Sequence, residues 1–335
     1  MYNIAKEVPE ERKVLFTNTA AKMRMPPAVI EKDFWVCYLL DYLFSRSPWR
    51  KAMVFKGGTS LSKAYHIIKR FSEDVDLVMD WRLIFSTDEE AWKERSNTQQ
   101  DKYNKTIIRK ASSFLTEKLI PNLQADISGE TGTNIEVNMD PDDTDKCTVN
   151  IYYPHVFNTE YLRQEIRLEI GPIAEWIPSH SVRISSFAAE KYPQVFQHPF
   201  TEVLTIDAER TFWEKITILH KTAASYEIKG IPTRYARHYY DVYCMSMSDV
   251  KEKAFERKDL LVQDIRFKKK FYYSKSASYE TAKIGSLRLI PCESAIKDLK
   301  SDYEHMKLMI YGNVPEFDEI ILQLSKLEEE INRIK

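Results

Sequence analysis

Phe55-Lys56-Gly57-Gly58-Thr59-Ser60-Leu61-Ser62-Lys63, followed by Arg70-Phe71-Ser72-Glu73-Asp74-Val75-Asp76-Leu77, is the stretch from which the rest of the chain can be read. Gly57 and Gly58 have no Cβ, so a ligand can approach their backbone closely. Leu61, Ala64, Tyr65 and Ile68 recur at helical spacing, which predicts a helix over Ser60 to Lys69. The free N–H groups at the start of such a helix favour an anionic phosphate. In the strand that follows, Val75, Leu77 and Met79 alternate with Asp74 and Asp76, placing both carboxylates on one face. Mg²⁺ takes one or two carboxylates from a protein and the rest of its shell from substrate phosphates and water. A phosphate cradle beside paired aspartates points to metal-dependent phosphoryl or nucleotidyl transfer. Each half alone says little, since a Gly-Gly before a helix is usually a turn and an Asp-x-Asp strand usually a solvated face. The spacing does not fit the Gly-x-x-x-x-Gly-Lys-Ser/Thr of a P-loop. The order of turn, helix and acidic strand carries the reading.

Further stretches extend it. With Ile30-Glu31-Lys32-Asp33-Phe34-Trp35-Val36, Glu209-Arg210-Thr211-Phe212-Trp213-Glu214-Lys215 and Arg237-His238-Tyr239-Tyr240-Asp241, the chain resembles the AbiEii/AbiGii nucleotidyltransferase toxin family of the DNA polymerase β-like superfamily. Ser276 to Asn332, with Tyr279-Glu280-Thr281-Ala282 and Leu287-Arg288-Leu289-Ile290-Pro291, is similar to the tail of one branch. The resemblance implies an α+β fold, a polymerase β-like core with a mixed sheet followed by a C-terminal helical half. Residues 1–204 are expected to form the catalytic half and 205–335 a helical half completing the site.

The resemblance also implies roles. Asp74, Asp76, Lys215 and Asp241 are the expected catalytic residues, and Lys56, Gly57, Gly58, Thr59, Ser60, Lys63 and Ser72 the expected nucleotide-binding ones. Lys215 would face the triphosphate, where a compact ammonium neutralises charge. Asp241 would position Lys215 or act as a base on the acceptor hydroxyl. A buried Arg/Asp pair tying two helices together is the plainer reading of Asp241, and both can hold. Glu169, mid-strand on the polar face of Gln164 to Ile170, is the candidate third carboxylate for a two-metal clamp. Without it, one Mg²⁺ would rest on Asp74 and Asp76. Lys56 and Lys63 flank the turn and could touch phosphate, as could Arg70. Ser72 could hydrogen-bond phosphate or accept a nucleotide itself.

The expected activity is Mg²⁺-dependent transfer of a nucleoside monophosphate from an NTP to RNA, with a tRNA 3′ end as acceptor. The expected setting is a toxin–antitoxin or phage-defence pair, with a cognate antitoxin as partner. A protein-modifying nucleotidyl- or phosphotransferase is the enzymatic alternative, and a non-catalytic RNA-binding module the other. Arg266-Phe267-Lys268-Lys269-Lys270-Phe271-Tyr272-Tyr273-Ser274-Lys275 interleaves basic and aromatic residues, as a single-stranded RNA end requires, although a partly packed amphipathic stretch reads the same way.

Composition narrows the remainder. With 43% hydrophobic and 30% charged residues the chain reads as a soluble globular protein. Its net charge of −1 requires any affinity for nucleic acid to come from a local patch. Cys37, Cys147, Cys244 and Cys292 are dispersed, with no metal-ligand spacing, and read as reduced thiols. The histidines show no metal-ligand spacing either, and the acidic turn Asp140-Pro141-Asp142-Asp143 lacks the Gly and distal Glu of a calcium loop. Met1 to Glu7 does not read as a signal peptide, and no apolar run approaches the ~20 residues of a membrane span, so a cytoplasmic protein is expected. Helices are predicted over Glu10 to Met23, Pro27 to Phe44, and Tyr103 to Leu119, the last ended by Pro121. Trp81 to Lys102 reads as a surface insertion, Ile135 to Tyr153 as a hairpin, and the chain after about Thr205 as mostly helical. Asp207 is the expected N-cap of a helix reaching about Ala224, and Phe317 to Ile334 a terminal amphipathic helix.

Overall fold

Among the described residues, seven strands make one mixed sheet in the order β3-β4-β5-β2-β1-β7-β6. They are β1 (Met53–Lys56), β2 (Asp74–Met79), β3 (Glu136–Met139), β4 (Thr148–Tyr152), β5 (Glu165–Gly171), β6 (Ser179–Ile184) and β7 (Thr201–Ile206). The computed structural model describes all residues except 73, 86–89, 160–161 and 335, together with the backbone but not the side chains of 228 and 229. Part of the predicted 81–102 insertion therefore lies outside the described residues. The chain divides into two compact units, one of Met1–Ala64 and Ser72–Ile206, the other of Tyr65–Phe71 and Asp207–Lys335.

The first unit holds the whole sheet and α1 (Tyr2–Ala5), α2 (Pro9–Met23), α3 (Pro27–Asp41), α4 (Gly57–Lys63), α5 (Asn97–Phe114), α6 (Ile120–Thr131) and α7 (Phe187–Lys191). β2 runs antiparallel to β1 and parallel to β5, and β1 runs parallel to β7. Strict alternation makes β5 two-faced: Ile166, Leu168 and Ile170 are buried, while Glu165, Arg167 and Glu169 are half-buried. Val75, Leu77, Val149 and Ile151 continue the apolar face. α3 packs against β5 and β7. Fully burying a Leu or Phe such as Phe34, Leu39 or Leu40 stabilises by about 1.5–3 kcal/mol over leaving it exposed.

Three consecutive charges, Glu31, Lys32 and Asp33, are also buried in α3, and each is matched. Glu31 accepts the backbone N–H of Val156 at 2.7 Å and of Phe157 at 3.1 Å. Lys32 donates to the Arg163 carbonyl at 3.0 Å. Asp33 accepts the N–H of Phe187 at 2.6 Å and pairs with Lys63 at 2.7 Å. The charged triplet thus fastens the β4–β5 connection, the start of α7 and the end of α4 to one helix.

Several expected boundaries move, two of them for a visible reason. Pro121 does not end its helix: α5 runs through a wide π turn at Leu115–Leu119 into α6, which stops at Gly132 in the left-handed region. The π turn re-spaces the backbone hydrogen bonds just ahead of Pro121, so its missing N–H falls where a new helical segment begins. The helix expected over Ser60 to Lys69 instead spans Gly57–Lys63. Its continuation is diverted because Lys69 to Phe71 pair with Met309 to Tyr311: Phe71 donates to the Met309 carbonyl and Tyr311 to that of Lys69, each at 2.8 Å.

The second unit is helical: α8 (Ala208–Lys229), α9 (Ala236–Ser246), α10 (Val250–Glu256), α11 (Lys258–Phe271), α12 (Glu293–Met306) and α13 (Phe317–Asn332). Asp207 occupies the N-cap of α8, where its carbonyl accepts from Arg210 and Thr211. Phe317, Ile320, Leu324, Leu327 and Ile331 form the buried stripe of α13, which packs on α9. No helix among the described residues is long and apolar enough to cross a membrane.

Candidate active site

Register gathers the polar residues of the sheet on one face. Lys56 pairs across β1 with Asp76, Asp74 and Asp76 pair across β5 with Arg167 and Glu169, and those two pair across β4 with Asn150 and Thr148. Register partners on adjacent strands point to the same side. Asp74 is buried and Asp76 half-buried.

The glycine turn closes on this face. Gly57 begins α4 with φ +79°, a conformation only glycine adopts without strain. A Cβ there would lie 2.6 Å from the Cγ of Asp76 and closer still to its Oδ2. The Asp76 carboxylate therefore rests on the bare Cα of Gly57. Thr59 donates its hydroxyl to the carbonyl of Asp74, tying turn to strand a second time. Ser60 donates to the Gly57 carbonyl at 2.8 Å. Both hydroxyls are thus turned into the backbone of the motif, and Thr59 and Ser60 are buried.

Lys63 is also internal. Burial opposes its charge, but the Asp33 carboxylate at 2.7 Å outweighs this and raises its pKa, with the Phe187 ring centre 4.0 Å away. The structure does not bring Lys63 to the polar face. Lys56, at the end of β1, and Ser72, ahead of β2, are half-buried.

Arg167 is the residue that sequence reasoning missed. Its guanidinium stands 3.6 Å from Asp74 and 3.6 Å from Glu169, and is held by Asp140 at 3.0 Å. The signal is present in the Glu165-Ile166-Arg167-Leu168-Glu169 alternation, which puts a cation between carboxylates on one face. Asp140 comes from the acidic hairpin turn, so one of those turn carboxylates has a side-chain partner. Among the described residues no group of three His, Cys, Asp or Glu stands close enough to hold a metal ion, so Glu169 does not form a ready triad with Asp74 and Asp76.

In the helical unit, Lys215 is buried and donates to Asp241 Oδ2 at 2.8 Å. Asp241 is fully buried and also takes both arms of Arg70, Nε to Oδ1 at 2.7 Å and an Nη to Oδ2 at 2.8 Å. The arginine ion-paired to Asp241 is therefore Arg70, and this removes Arg70 from the phosphate contacts expected of it. Burial pushes the Asp241 carboxyl up, but Arg70 and Lys215 overcome this and hold it well below the usual carboxylate range. Burial lowers the Lys215 pKa, with Arg70 and Arg237 acting in the same direction against Asp241. His238 is held neutral by burial and by the neighbouring Lys215 and Arg237.

The basic-aromatic stretch divides. Phe267 and Phe271 are buried in α11. Lys268 turns inward to Asp264 at 2.9 Å and to the Glu214 carbonyl at 3.1 Å, so it is structural. Tyr272 and Tyr273 are half exposed, at 52% and 51%, and Lys269 is exposed too. The outward part of the stretch is narrower than its sequence suggests.

Comparison with known proteins adds family identity. The sequence model of the nucleotidyl transferase AbiEii toxin family, described as a type IV toxin–antitoxin system, matches residues 38–323. No curated protein matches the sequence. Among solved structures the chain is similar to MenT4, a nucleotidyltransferase toxin from Mycobacterium tuberculosis, at 14% identity and a TM-score of 0.44, over 96% of this chain and 97% of that one. It is also similar to JHP933 from Helicobacter pylori at 15% identity and a TM-score of 0.35, over 90% and 96% of the two chains.

Proposed function

Because the chain belongs to the AbiEii nucleotidyl transferase toxin family of type IV toxin–antitoxin systems, we propose that it moves a nucleoside monophosphate from an NTP to an RNA acceptor, a tRNA 3′ end. The family also implies an antitoxin as its counterpart. The observation that carries the reading is the seating of the Asp76 carboxylate on Gly57, on a sheet face shared with Asp74.

That donor set suits Mg²⁺. It offers hard oxygen ligands from two carboxylates and leaves the remaining coordination to phosphates and water. Bound by Asp74 and Asp76, the ion would supply Lewis-acid neutralisation of phosphate charge. Glu169 is left out of the set, because among the described residues it forms no three-ligand group with Asp74 and Asp76.

The chain's own groups do the rest. Gly57 and Gly58 admit the triphosphate to the backbone, with Lys56 and Ser72 as the side chains available to touch it. Lys215 stabilises charge developing on the phosphates, and Asp241 keeps that ammonium in place. The acceptor hydroxyl oxygen forms the new bond to phosphorus as the bond to pyrophosphate breaks, and the hydroxyl proton leaves to solvent.

The test is incubation of the purified protein with each labelled NTP, Mg²⁺ and total cellular RNA. Label in a tRNA band is expected. Label in a protein band would replace this reading by protein modification, and label in neither would leave a binding module.

A further inference from the structure

We propose that Arg70 is a positioning residue for transfer: its guanidinium fixes the carboxylate of Asp241 and, through that carboxylate, the ammonium of Lys215. The inference rests on the reading of Lys215 as the residue that meets the triphosphate.

Three charge-assisted N–H donors converge on one carboxylate, at 2.7, 2.8 and 2.8 Å. The Arg70 contact is bidentate, so it fixes the plane of the carboxylate as well as its position. Lys215 has three rotatable donors on a flexible stem and has no such orientation of its own. With Asp241 locked, its Oδ2 gives the ammonium one fixed partner. All three side chains are at least nine-tenths buried. Water therefore cannot easily substitute for any of the bonds.

The backbone that carries Arg70 is held on both sides. Phe71 donates to Met309 and Tyr311 to Lys69, so Arg70 sits in a bridge with Ile310 rather than in a loose loop. Support of this kind keeps a working side chain within a fraction of an ångström of its required place.

The same arrangement decides between the two roles open to Asp241. A carboxylate offers about four acceptor sites, and three are taken by cationic donors. Arg70 comes from the 65–71 segment, as does the neighbouring Lys69, and Lys215 from α8, while Arg237, His238, Tyr240 and Cys244 of α9 are further titratable groups of the cluster. Held ionised by two cations, Asp241 is a poor proton acceptor. The structure assigns it the part of an anchor, with Arg70 as the anchor's own support.

The experiment compares Arg70→Ala and Arg70→Lys with the wild type and with Lys215→Ala. It measures kcat and KM for NTP with and without millimolar guanidinium. A misplacement of about 1 Å costs about 100-fold in rate, and a loss of that order in kcat is expected for Arg70→Ala, with KM little changed. Free guanidinium should restore part of the loss in Arg70→Ala and none in Lys215→Ala. Arg70→Lys keeps the charge but not the fork, so its kcat should also fall; this variant carries the test if the alanine protein fails to fold. Wild-type kcat in both Arg70 variants, or loss without rescue by guanidinium in a folded Arg70→Ala protein, would overturn the proposal. If Lys215→Ala itself turned over normally, the reading of Lys215 would fail first. An inactive Lys215→Ala beside fully active Arg70 variants would remove only the role of Arg70.

Discussion

Alanine at position 57 would put a methyl group 2.6 Å from the Cγ of Asp76 and 2.9 Å from its Cβ, at a backbone φ of +79°. Carbon atoms rest about 3.5–4.0 Å apart, so the Asp76 side chain would have to withdraw by about 1 Å. The left-handed backbone adds roughly 1–2 kcal/mol of strain for any residue with a Cβ. Gly132 separates the two effects: its φ is +68°, but nothing lies within 4 Å of where a Cβ would stand. Gly132→Ala should therefore lose about 1–2 kcal/mol of stability and no activity. Gly57→Ala should lose more stability and, with Asp76 displaced, about 100-fold in transfer rate. The assay is the initial rate of label transfer from NTP, with denaturation midpoints measured on the same preparations. A folded Gly57→Ala protein transferring at the wild-type rate would refute the coupling of turn to carboxylate.

Lys215→Ala should lower kcat by about 100- to 1000-fold, as removal of an aimed charge-stabilising donor does, whereas Lys221→Ala on another face of α8 should change it little; equal rates in the two would return Lys215 to a structural role. Lys269→Ala with Lys270→Ala should flatten the salt dependence of RNA binding by about 0.7 in log–log slope for each phosphate no longer neutralised, measured by filter binding at several salt concentrations. Lys268→Ala should instead lower stability, on the order of 1–3 kcal/mol, because it strips a partner from buried Asp264, and a melting curve reads this directly. The pH dependence has a definite sign. With its folded pKa held down by Arg70 and Lys215, Asp241 contributes stability that is fully present above pH about 4 and lost as pH falls below it, so Asp241→Asn should show a flatter acid limb in denaturation at pH about 5 to about 2.

Where local pattern and tertiary demand agree, the sequence is legible. Alternation in Gln164 to Ile170 becomes a two-faced strand, and the Asp-x-Asp strand carries both carboxylates on one side, because period two is a property of the backbone itself. The α+β class and the helical second half follow from the same periodicities and the resemblance. Charges whose partners are distant in sequence are not legible. Lys32 and Asp33 find hydrogen-bond partners 131 and 154 positions away, which only the folding of the sheet around α3 brings near. Arg70 meets Asp241 across 171 positions. Lys268 is the opposite case: Asp264, four positions earlier on the same helix, is a local partner that the basic and aromatic pattern overshadowed. Residues 179–184 carry no legible strand pattern, because the edge strand β6 buries only Ile184 and shows no clean alternation.

On the proposed mechanism, transfer depends on a metal ion held by Asp74 and Asp76. Asparagine keeps the size of each side chain and removes the charge that binds the cation. The measurement is label transfer from NTP to RNA by Asp74→Asn and by Asp76→Asn across a Mg²⁺ titration, alongside the thermal midpoint of each variant. Transfer should be abolished in both while the melting transition stays cooperative and close to that of the wild type. Near wild-type turnover by either variant, with a normal melting curve, would contradict the account.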